Sequence, residues 1–170
     1  EHKIDPECEN IISLNTPVAS DHRFTLAELK INTDLERIGD FARGIARFVK
    51  KCPKKSLNPE LLKACQFDDL IKNAIEMLTD AKLALENENS RMAVSIFSHD
   101  EFLDDVHRHS NKIIADYIRK HPDEIDEALN MHSIIRKVER IGDHCSNITE
   151  EIVFYIDAKV LKHSPKKDVK

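Results

Sequence analysis

Two acidic pairs have the residue types and the spacing to bind a metal ion. Glu36 and Asp40 are four residues apart, and so are Glu139 and Asp143. Residues i and i+4 share one face of a helix, so each pair would direct two carboxylates to the same side. Carboxylates that close repel each other unless a cation compensates them, and such oxygen ligands favour magnesium, manganese, calcium or iron. Each pair is therefore a candidate metal-binding element.

An internal repeat makes these pairs stronger candidates for metal binding than a single acidic pair would be. The residues Glu-Arg-Ile-Gly-Asp occur at 36–40 and again at 139–143, a separation of 103. A chain with 31 acidic residues among 170 contains roughly 5 acid pairs at this spacing by chance, mostly on solvated faces. Two of the three glycines, Gly39 and Gly142, occupy the same place in the repeated motif. Because glycine weakens a helix, this predicts close approach of another backbone or a ligand there.

A second set of acidic pairs lies upstream of each motif. Glu1 with Asp5 and Asp100 with Asp104 have the same four-residue spacing, and the two pairs are 99 residues apart. Each half of the chain thus presents two acidic pairs on adjacent predicted helices. Pro6 affects the first pair: if Asp5 caps a helix that has Pro6 in its first turn, Glu1 precedes that helix and the shared face is lost.

Three further residues are candidates for supporting roles. His107, three residues after Asp104, is either an additional imidazole ligand or a surface histidine. Arg37 and Arg140 either orient the carboxylates by hydrogen bonds or pair with them as surface ions. No Glu-x-x-His pair accompanies the acids, so a ferritin-like di-iron site is not supported. The chain also has no nucleophile elbow or phosphate-binding loop, so we predict no catalytic residue and no enzyme.

The apolar spacing of the first half predicts one long helix. It begins near Asp21 or at Thr25, since Thr25 and Glu28 have the spacing of a capping box, and it ends before Pro53. Its predicted buried face consists of apolar residues at steps of three and four: Leu35, Ile38, Ala42, Ile45 and Val49.

Three more helices are predicted in the second half. Asn58 and Pro59 begin the first, which runs to Asn87, and Ser90 caps the second, which ends at His121-Pro122. The third runs from about Asp123. Their predicted inward residues are Phe67, Ile71, Ala74, Leu78, Ala81 and Leu85, then Ile96, Leu103, Val106, Ile113 and Tyr117, then Ile134, Val138, Ile141, Cys145, Ile148 and Ile152.

These helices and the repeat predict an all-α protein made of two antiparallel three-helix bundles. The second half has a complete helix before its upstream acidic pair and the first half has none, so we expect the first bundle to be incomplete at the N-terminus of this chain. The predicted divisions are a first repeat at 1–52, a linker at 53–58, a second repeat at 59–161 and a basic tail at 162–170.

Composition restricts the class of protein. The formal charge of −5 argues against a nucleic-acid module, because phosphate neutralisation needs a basic face. The longest apolar run, Ile152–Ile156, is far shorter than the roughly 20 residues of a transmembrane helix. The four cysteines form no Cys-x-x-Cys pair, which favours a reducing compartment. We therefore expect a soluble cytoplasmic protein.

The doubled Glu-Arg-Ile-Gly-Asp motif, the segment 16–21 that leads to its first copy, and the upstream acids resemble the PhoU family of phosphate-uptake regulators. The resemblance implies a fold of two three-helix bundles and a cytoplasmic negative regulator of phosphate uptake and of the phosphate-starvation response. It implies two partners, a phosphate ABC transporter and a sensor histidine kinase. The protein would associate with a membrane only through these partners. Both a monomer and a homodimer are compatible with the resemblance. It also implies bound iron, manganese, zinc or magnesium, with these ligands: Glu1, Asp5, Glu36, Asp40, Asp100, Asp104, Glu139 and Asp143.

Two alternative functions are compatible with the same residues. In a metal-dependent phosphohydrolase, paired ions would polarise a phosphoryl oxygen, although the sequence shows no evident general base. PhoU-like domains also occur fused to sodium/phosphate cotransporters, and the chain could be the cytoplasmic domain of such a transporter.

Overall fold

The computed structural model describes residues 3–51 and 57–161, and all regular secondary structure in these ranges is helical. The prediction of an all-α protein is therefore confirmed. The helices are α1 (Ile4–Asn15), α2 (Ala19–Lys51), α3 (Pro59–Ala64), α4 (Phe67–Glu86), α5 (Ser90–Val94), α6 (Ile96–Lys120) and α7 (Ile125–Asp157), with a 3₁₀ turn at Pro122–Glu124. None of the helices in these ranges is both long and apolar enough to cross a bilayer.

Helices α4, α6 and α7 pack against one another as a three-helix bundle. Short connections join them in sequence, so each runs antiparallel to the next. Their facing sides form one apolar core, whose fully buried members include Leu70, Met77, Leu103, Ile134, Val138 and Ile152. Removing such large side chains from water supplies most of the free energy that orders the helices.

Helix α2 packs along α7 in the antiparallel direction. Phe24 makes an edge contact with Tyr155, with ring centroids 5.4 Å apart, near the start of α2. Near the other end, a Cβ placed on Gly44 would lie 3.2 Å from Cε of Lys137. Helix α1 covers part of the remaining surface of α2. The two halves of the chain therefore meet mainly through α2 and α7.

The contacts between α2 and α7 follow the internal repeat. Asn147 Nδ2 donates to Asp34 Oδ1 at 3.3 Å. Shifting these residues by the repeat separation of 103 gives Gly44 and Lys137, which are also in contact. The repeat shift thus converts one contact between α2 and α7 into another contact between the same two helices. Such an exchange indicates an approximate twofold relation between α2 and α7. The prediction of two halves related by an internal repeat is thus supported within the described residues, whereas the exact domain divisions stay a prediction.

The predicted buried face of α2 is partly wrong. Ile38 is buried and Ile45 half-buried, but Leu35 and Val49 are 46% and 60% exposed and Ala42 is also exposed. The physical reason is the location of the neighbours. Helix α2 buries the side that faces α1 and α7, whereas Leu35 lines a cavity of about 510 Å³ that separates it from Leu78 and Leu85 of α4. Its buried residues are Thr25, Ala27, Ile31, Asn32 and Ile38.

The same apolar spacing is buried in the second copy of the repeat. The equivalents of Leu35 and Val49 on α7 are Val138 and Ile152, which are 1% and 0% exposed. Helices α4 and α6 cover that side of α7. Apolar residues at steps of three and four are present in both long helices. Such an apolar face is buried only where another helix packs against it.

Of the two predicted starts of α2, Asp21 lies within two residues of the observed start, whereas the capping box at Thr25 is wrong; the cap predicted at Ser90 is wrong by one residue. Thr25 lies inside α2, which begins at Ala19, and its Oγ1 donates to the carbonyl of Asp21 at 2.8 Å instead of capping the helix. Asn89, rather than Ser90, caps α5, because its side chain accepts hydrogen bonds from two following backbone amides. Thr25 and Ser90 are both polar, and such side chains can hydrogen-bond to the backbone inside a helix as well as at its start.

One predicted cap is confirmed, but the helix that follows it is interrupted. Asn58 Oδ1 accepts a hydrogen bond from the Glu60 amide at 2.9 Å, with Pro59 as the first residue of α3. Gln66, with φ of 50°, separates α3 from α4, and Ser95, whose backbone angles are helical, separates α5 from α6. The predicted continuous helices from Pro59 to Asn87 and from Ser90 to His121 are therefore each two helices.

The predicted core residues of the second half are mostly correct. On α7, all are buried except Ile141, which is half-buried. On α6, Ile114 is buried in place of Ile113. On α4, Ala74 and Ala81 are buried, whereas the other predicted residues are half-buried because α4 packs against both α6 and α7, which displaces its buried face. That face consists of Leu70, Ala74, Met77, Ala81 and Ala84.

Candidate metal site

Helices α6 and α7 bring four of the predicted metal ligands together. Asp100 and Asp104 lie one turn apart on α6, and Glu139 and Asp143 lie one turn apart on α7. One carboxylate oxygen from each of Asp100, Asp104 and Asp143 falls within 4.8 Å of the others. Glu139 is not part of this set of three, but it lies one turn before Asp143 on α7 and the charges of Asp143 and Asp104 both act on it. We refer to these four residues as the acidic cluster.

The bundle core holds the acidic cluster in place. Asp100 is only 2% exposed and the Glu139 side chain 15% exposed, whereas Asp104 and Asp143 are half-buried. Leu103, between the two aspartates on α6, is fully buried in the core. Because Leu103 anchors this part of α6 in the core, the backbone positions of Asp100 and Asp104 are fixed by the packing.

Gly142 permits the close approach of α6 and α7 at this position. A Cβ added to Gly142 would lie 2.7 Å from Cδ2 of Leu103 and 3.2 Å from Oδ1 of Asp100. The predicted close approach is therefore confirmed at Gly142. At Gly39 the predicted approach of another backbone is wrong within the described residues, because an added Cβ would meet no described atom within 4 Å; the alternative of a ligand there stays a prediction.

This difference gives a matched test of the packing. We expect Gly142→Ala to lower the free energy of unfolding by about 1 to 3 kcal/mol, the usual cost of overpacking a core. Gly39→Ala should raise it by up to about 1 kcal/mol, since alanine favours the helix and meets no clash. Urea denaturation of both variants would measure this, and equal effects of the two substitutions would contradict the assigned packing.

Burial and mutual repulsion disfavour the charged forms of the cluster. Burial raises the pKa of Glu139 above its ordinary value, and the nearby charge of Asp143 raises it further. Burial likewise raises the pKa of Asp143, with a further contribution from Asp100. A cation that replaces the lost water and offsets the repulsion would therefore stabilise the ionised forms of these carboxyl groups.

Arg140 and His107 lie at the edge of the acidic cluster. Arg140 Nη1 donates to Asp143 Oδ2 at 3.2 Å, and its Nε lies 3.9 Å from Glu139 Oε2. His107 Nδ1 lies 3.5 Å from Glu139 Oε1. Arg140 therefore contacts two candidate ligands and can orient them, and His107 lies beside Glu139 rather than on an isolated surface.

His132 is a neighbour of the site that was not predicted from the sequence. Its ring stacks on that of His107, with centroids 6.2 Å apart, and its Nδ1 lies 3.2 Å from Ser110 Oγ. Burial lowers the pKa of His132, and the nearby His107 lowers it further. His132 is seven residues before Glu139, a spacing that places both on one side of α7, and this was the available sequence signal.

The candidate ligands of the first half do not form a comparable group. Glu36 and Asp40 are exposed, and Asp40 pairs with Arg43 at 3.1 Å. Asp5 lies in the first turn of α1, where its Oδ1 accepts a hydrogen bond from Asn32 Nδ2 at 2.9 Å. In the described part of the chain, the only set of three possible ligands within 4.8 Å of one another belongs to the acidic cluster.

The remaining predictions for the first half have separate outcomes. Glu1 lies outside the described residues, so its pairing with Asp5 stays a prediction. The alternative in which Asp5 caps the helix does not occur, because α1 begins at Ile4 and Lys3 occupies the capping position. Arg37 is exposed on α2.

The residues of the acidic cluster fit a bound metal ion. Oε2 of Glu139 is buried and, among the described residues, accepts no hydrogen bond. A buried polar atom in that condition usually has an ion or a water as its partner. The four carboxylates offer hard oxygen ligands, and His107 adds a nitrogen. A metal held here would supply positive charge between α6 and α7 and so connect the two helices.

A second polar region joins the two halves of the chain and was also not predicted. His144 Nδ1 lies 2.6 Å from Asp34 Oδ1, and Lys30 Nζ pairs with Glu151 at 2.9 Å. A cavity of about 310 Å³ lies between these pairs. Sequence spacing carries no signal for such contacts, because they depend on how α2 and α7 cross.

The fold and the site define an all-α protein with a twofold-repeated helical unit and a carboxylate-rich site in the bundle. A sequence model of the PhoU domain matches residues 1–49 and 67–152. The chain therefore belongs to the PhoU family.

Curated relatives and solved structures agree with this assignment. The chain is 30% identical to the phosphate-specific transport system accessory protein PhoU homolog of Pseudomonas putida, over 96% of this chain and 63% of the relative. It is 31% identical to PhoU of Escherichia coli K12, over 96% and 66%. The chain thus spans about two thirds of the length of these relatives.

Two crystal structures show the same fold. PhoU from Pseudomonas aeruginosa superposes with a TM-score of 0.86 and 28% identity, over 93% of this chain and 75% of that one. The phosphate transport system regulatory protein PhoU from Streptococcus pneumoniae gives a TM-score of 0.77 and 28% identity, over 94% and 76%. Likeness at this level supports the arrangement of the helices around the acidic cluster.

Proposed function

We propose that this protein is a negative regulator of phosphate uptake and of the phosphate-starvation response in the cytoplasm. The observation that carries the proposal is the PhoU domain, which matches both halves of the chain. Its relatives are named accessory proteins of phosphate-specific transport. The proposed partners are a phosphate ABC transporter and a sensor histidine kinase, and contact with the membrane occurs only through them.

Regulation of this kind needs no covalent chemistry. A docked protein changes the activity of a partner that has two states when it binds one state more tightly than the other. The long helix α2 presents an extended surface for such docking, and exposed apolar side chains such as Leu35 and Val49 lie on it. The proposed effect on the transporter and the kinase is therefore a shift in the populations of their states.

The acidic cluster supports this role as a metal site. We assign Asp100, Asp104, Glu139 and Asp143 as ligands, with Arg140 orienting two of them and His107 at the edge. Iron, manganese, zinc and magnesium all accept carboxylate ligands. Because the ligands come from two helices, a bound ion stabilises the bundle on which the docking surfaces lie. The first-half acids Glu36 and Asp40, with Arg37 between them, are solvent-facing and are assigned to partner contacts or to a second metal site.

Deletion of the gene in its host tests the proposal. We expect the deletion strain to express phosphate-starvation genes and to take up excess phosphate in phosphate-rich medium, because the inhibitory contact is lost. A transcriptional reporter and uptake of radioactive phosphate measure the two effects. Expression of the intact gene should restore repression, and an unchanged reporter and uptake rate in the deletion strain would contradict the regulatory role.

A further inference from the structure

The two points at which α2 and α7 cross carry opposite charges. At the first crossing, three acids line the cavity of about 310 Å³: Asp34, Glu150 and Glu151. The repeat shift of 103 replaces Thr33, Asp34 and Glu150 of this cavity with three cations at the second crossing: Arg136, Lys137 and Arg47. Equivalent positions of the repeat are therefore mainly acidic at one crossing and basic at the other.

Lys137 is held between the two helices at the second crossing. Its Cε would lie 3.2 Å from a Cβ on Gly44, so the missing side chain of Gly44 leaves room for it. Its Nζ lies 5.5 Å from the ring centroid of Phe48, a distance at which the ring attracts the cation. Lys137 is half-buried, whereas Arg47 and Arg136, within one turn of these contacts, are exposed. The crossing thus presents one anchored cation and two solvent-facing cations.

These three cations lack the acidic partners that their neighbours have. Arg43 pairs with Asp40 at 3.1 Å, and Arg140 Nη1 donates to Asp143 Oδ2 at 3.2 Å. Among the residues that the structure describes, none of the three forms an ion pair with a carboxylate. Their positive charges therefore stay uncompensated in a chain whose formal net charge is −5.

We propose that Arg47, Arg136 and Lys137 bind a phosphate oxyanion, either as free inorganic phosphate or as a phosphoryl group of a nucleotide. A planar guanidinium donates two parallel hydrogen bonds to two oxygens of a phosphate, and the lysine ammonium adds a point charge. Chloride, a single atom, offers no such pair of acceptors. A phosphate bound here connects α2 to α7 and so links phosphate supply to the docking surface on α2, a consequence that rests on the proposed function.

A competing interpretation is that the three side chains are ordinary solvated cations. Such cations attract every anion through the general field of the protein, and salt screens this attraction. Binding at a specific site depends instead on which cations are removed. Two variants that lose the same number of positive charges from different helix faces therefore distinguish the two interpretations.

The test uses the full chain after removal of metal with a chelator, so that no metal ion at the acidic cluster retains phosphate. The site variant carries three substitutions: Arg47→Gln, Arg136→Gln and Lys137→Gln. The control variant removes two arginines and one lysine that are exposed on α6: Arg108→Gln, Lys112→Gln and Arg119→Gln. The two variants have the same formal net charge, so any difference between them reports position.

Inorganic phosphate and ATP are titrated separately into each protein at constant ionic strength, with potassium chloride as the balancing salt. Isothermal titration calorimetry gives the affinities, and phosphorus nuclear magnetic resonance of the ligand detects binding that is too weak for calorimetry. Circular dichroism confirms that each variant is folded. The single variant Arg47→Gln, at an exposed position, keeps the test decisive if the site variant does not fold.

We expect the site variant to bind phosphate at least about tenfold more weakly than the wild type, because one hydrogen bond to a charged group already contributes about that factor. Arg47→Gln should weaken binding in the same direction. The control variant should stay within about twofold of the wild type, since isolated exposed charges contribute little. The ligand that binds more tightly, phosphate or ATP, and that the site variant loses, identifies the source of the oxyanion.

Three results would overturn the inference: equal losses of affinity in the site and control variants, an unchanged affinity in Arg47→Gln, or a wild type that binds neither phosphate nor ATP. None of these results decides the metal site or the regulatory role. Substitutions in the acidic cluster test the former, and the deletion strain tests the latter.

Discussion

Replacing Glu139 and Asp143 together with alanine is expected to remove bound metal from this protein, whereas replacing Glu36 and Asp40 should leave it in place. The two pairs have identical sequence contexts, so each double variant is the control for the other. Elemental analysis of protein purified without a chelator, followed by metal titration, measures the difference. We expect the affinity to fall more than about 100-fold in the first variant, since even a single orienting residue accounts for 10- to 100-fold.

The physical reason for the difference is the neighbourhood of each pair. Glu139 and Asp143 face Asp100 and Asp104 across the bundle, so several carboxylates converge on one point. Glu36 and Asp40 face solvent in the described structure, and two ligands on one exposed helix hold an ion weakly. Equal metal loss in both variants would show that the first half forms a site of comparable strength. Full metal content in Glu139→Ala with Asp143→Ala would disprove the assignment of the acidic cluster.

The stability of the metal-free protein is expected to fall as the pH rises. The unfolded chain releases the protons of Glu139 and Asp143 near ordinary pKa values of 4.5 and 3.8, but the folded protein holds them to higher pH. Between the two pKa values of each group, the folded state binds more protons than the unfolded state, so raising the pH lowers the free energy of unfolding. The contribution is complete below the ordinary pKa values and is lost as the pH passes through the raised ones.

Urea denaturation of chelator-treated protein between about pH 4 and about pH 8 measures this dependence. The double variant Glu139→Gln with Asp143→Asn removes the two titrating groups with little change of shape. We expect its stability to depend less on pH than that of the wild type, and to exceed the wild type near neutral pH. Parallel pH profiles for the two proteins would contradict the raised pKa values. Adding Mn²⁺ near neutral pH should stabilise the wild type and not the variant, because binding to the folded state adds to its stability.

The sequence by itself determined the helical class, the positions of most core residues in the second half, and the ligand types of the candidate site. Apolar residues at steps of three and four define a helix face without knowledge of its neighbours, which is why Ile134, Val138, Cys145 and Ile152 were predicted correctly. The repeated motif made Glu139 and Asp143 candidate ligands, and the four-residue spacing added Asp100 and Asp104, because i and i+4 residues share a face on any helix.

Only the tertiary structure decided which of the two identical motifs belongs to a converging set of carboxylates. The residues at 36–40 and 139–143 are the same, but α6 and α4 cover the second copy and no described helix covers the corresponding side of the first. Gly39 and Gly142 show the consequence directly, since one meets open space and the other meets Leu103. Local spacing sets the direction of a side chain, whereas convergence of side chains from different helices depends on long-range packing, which periodicity does not encode.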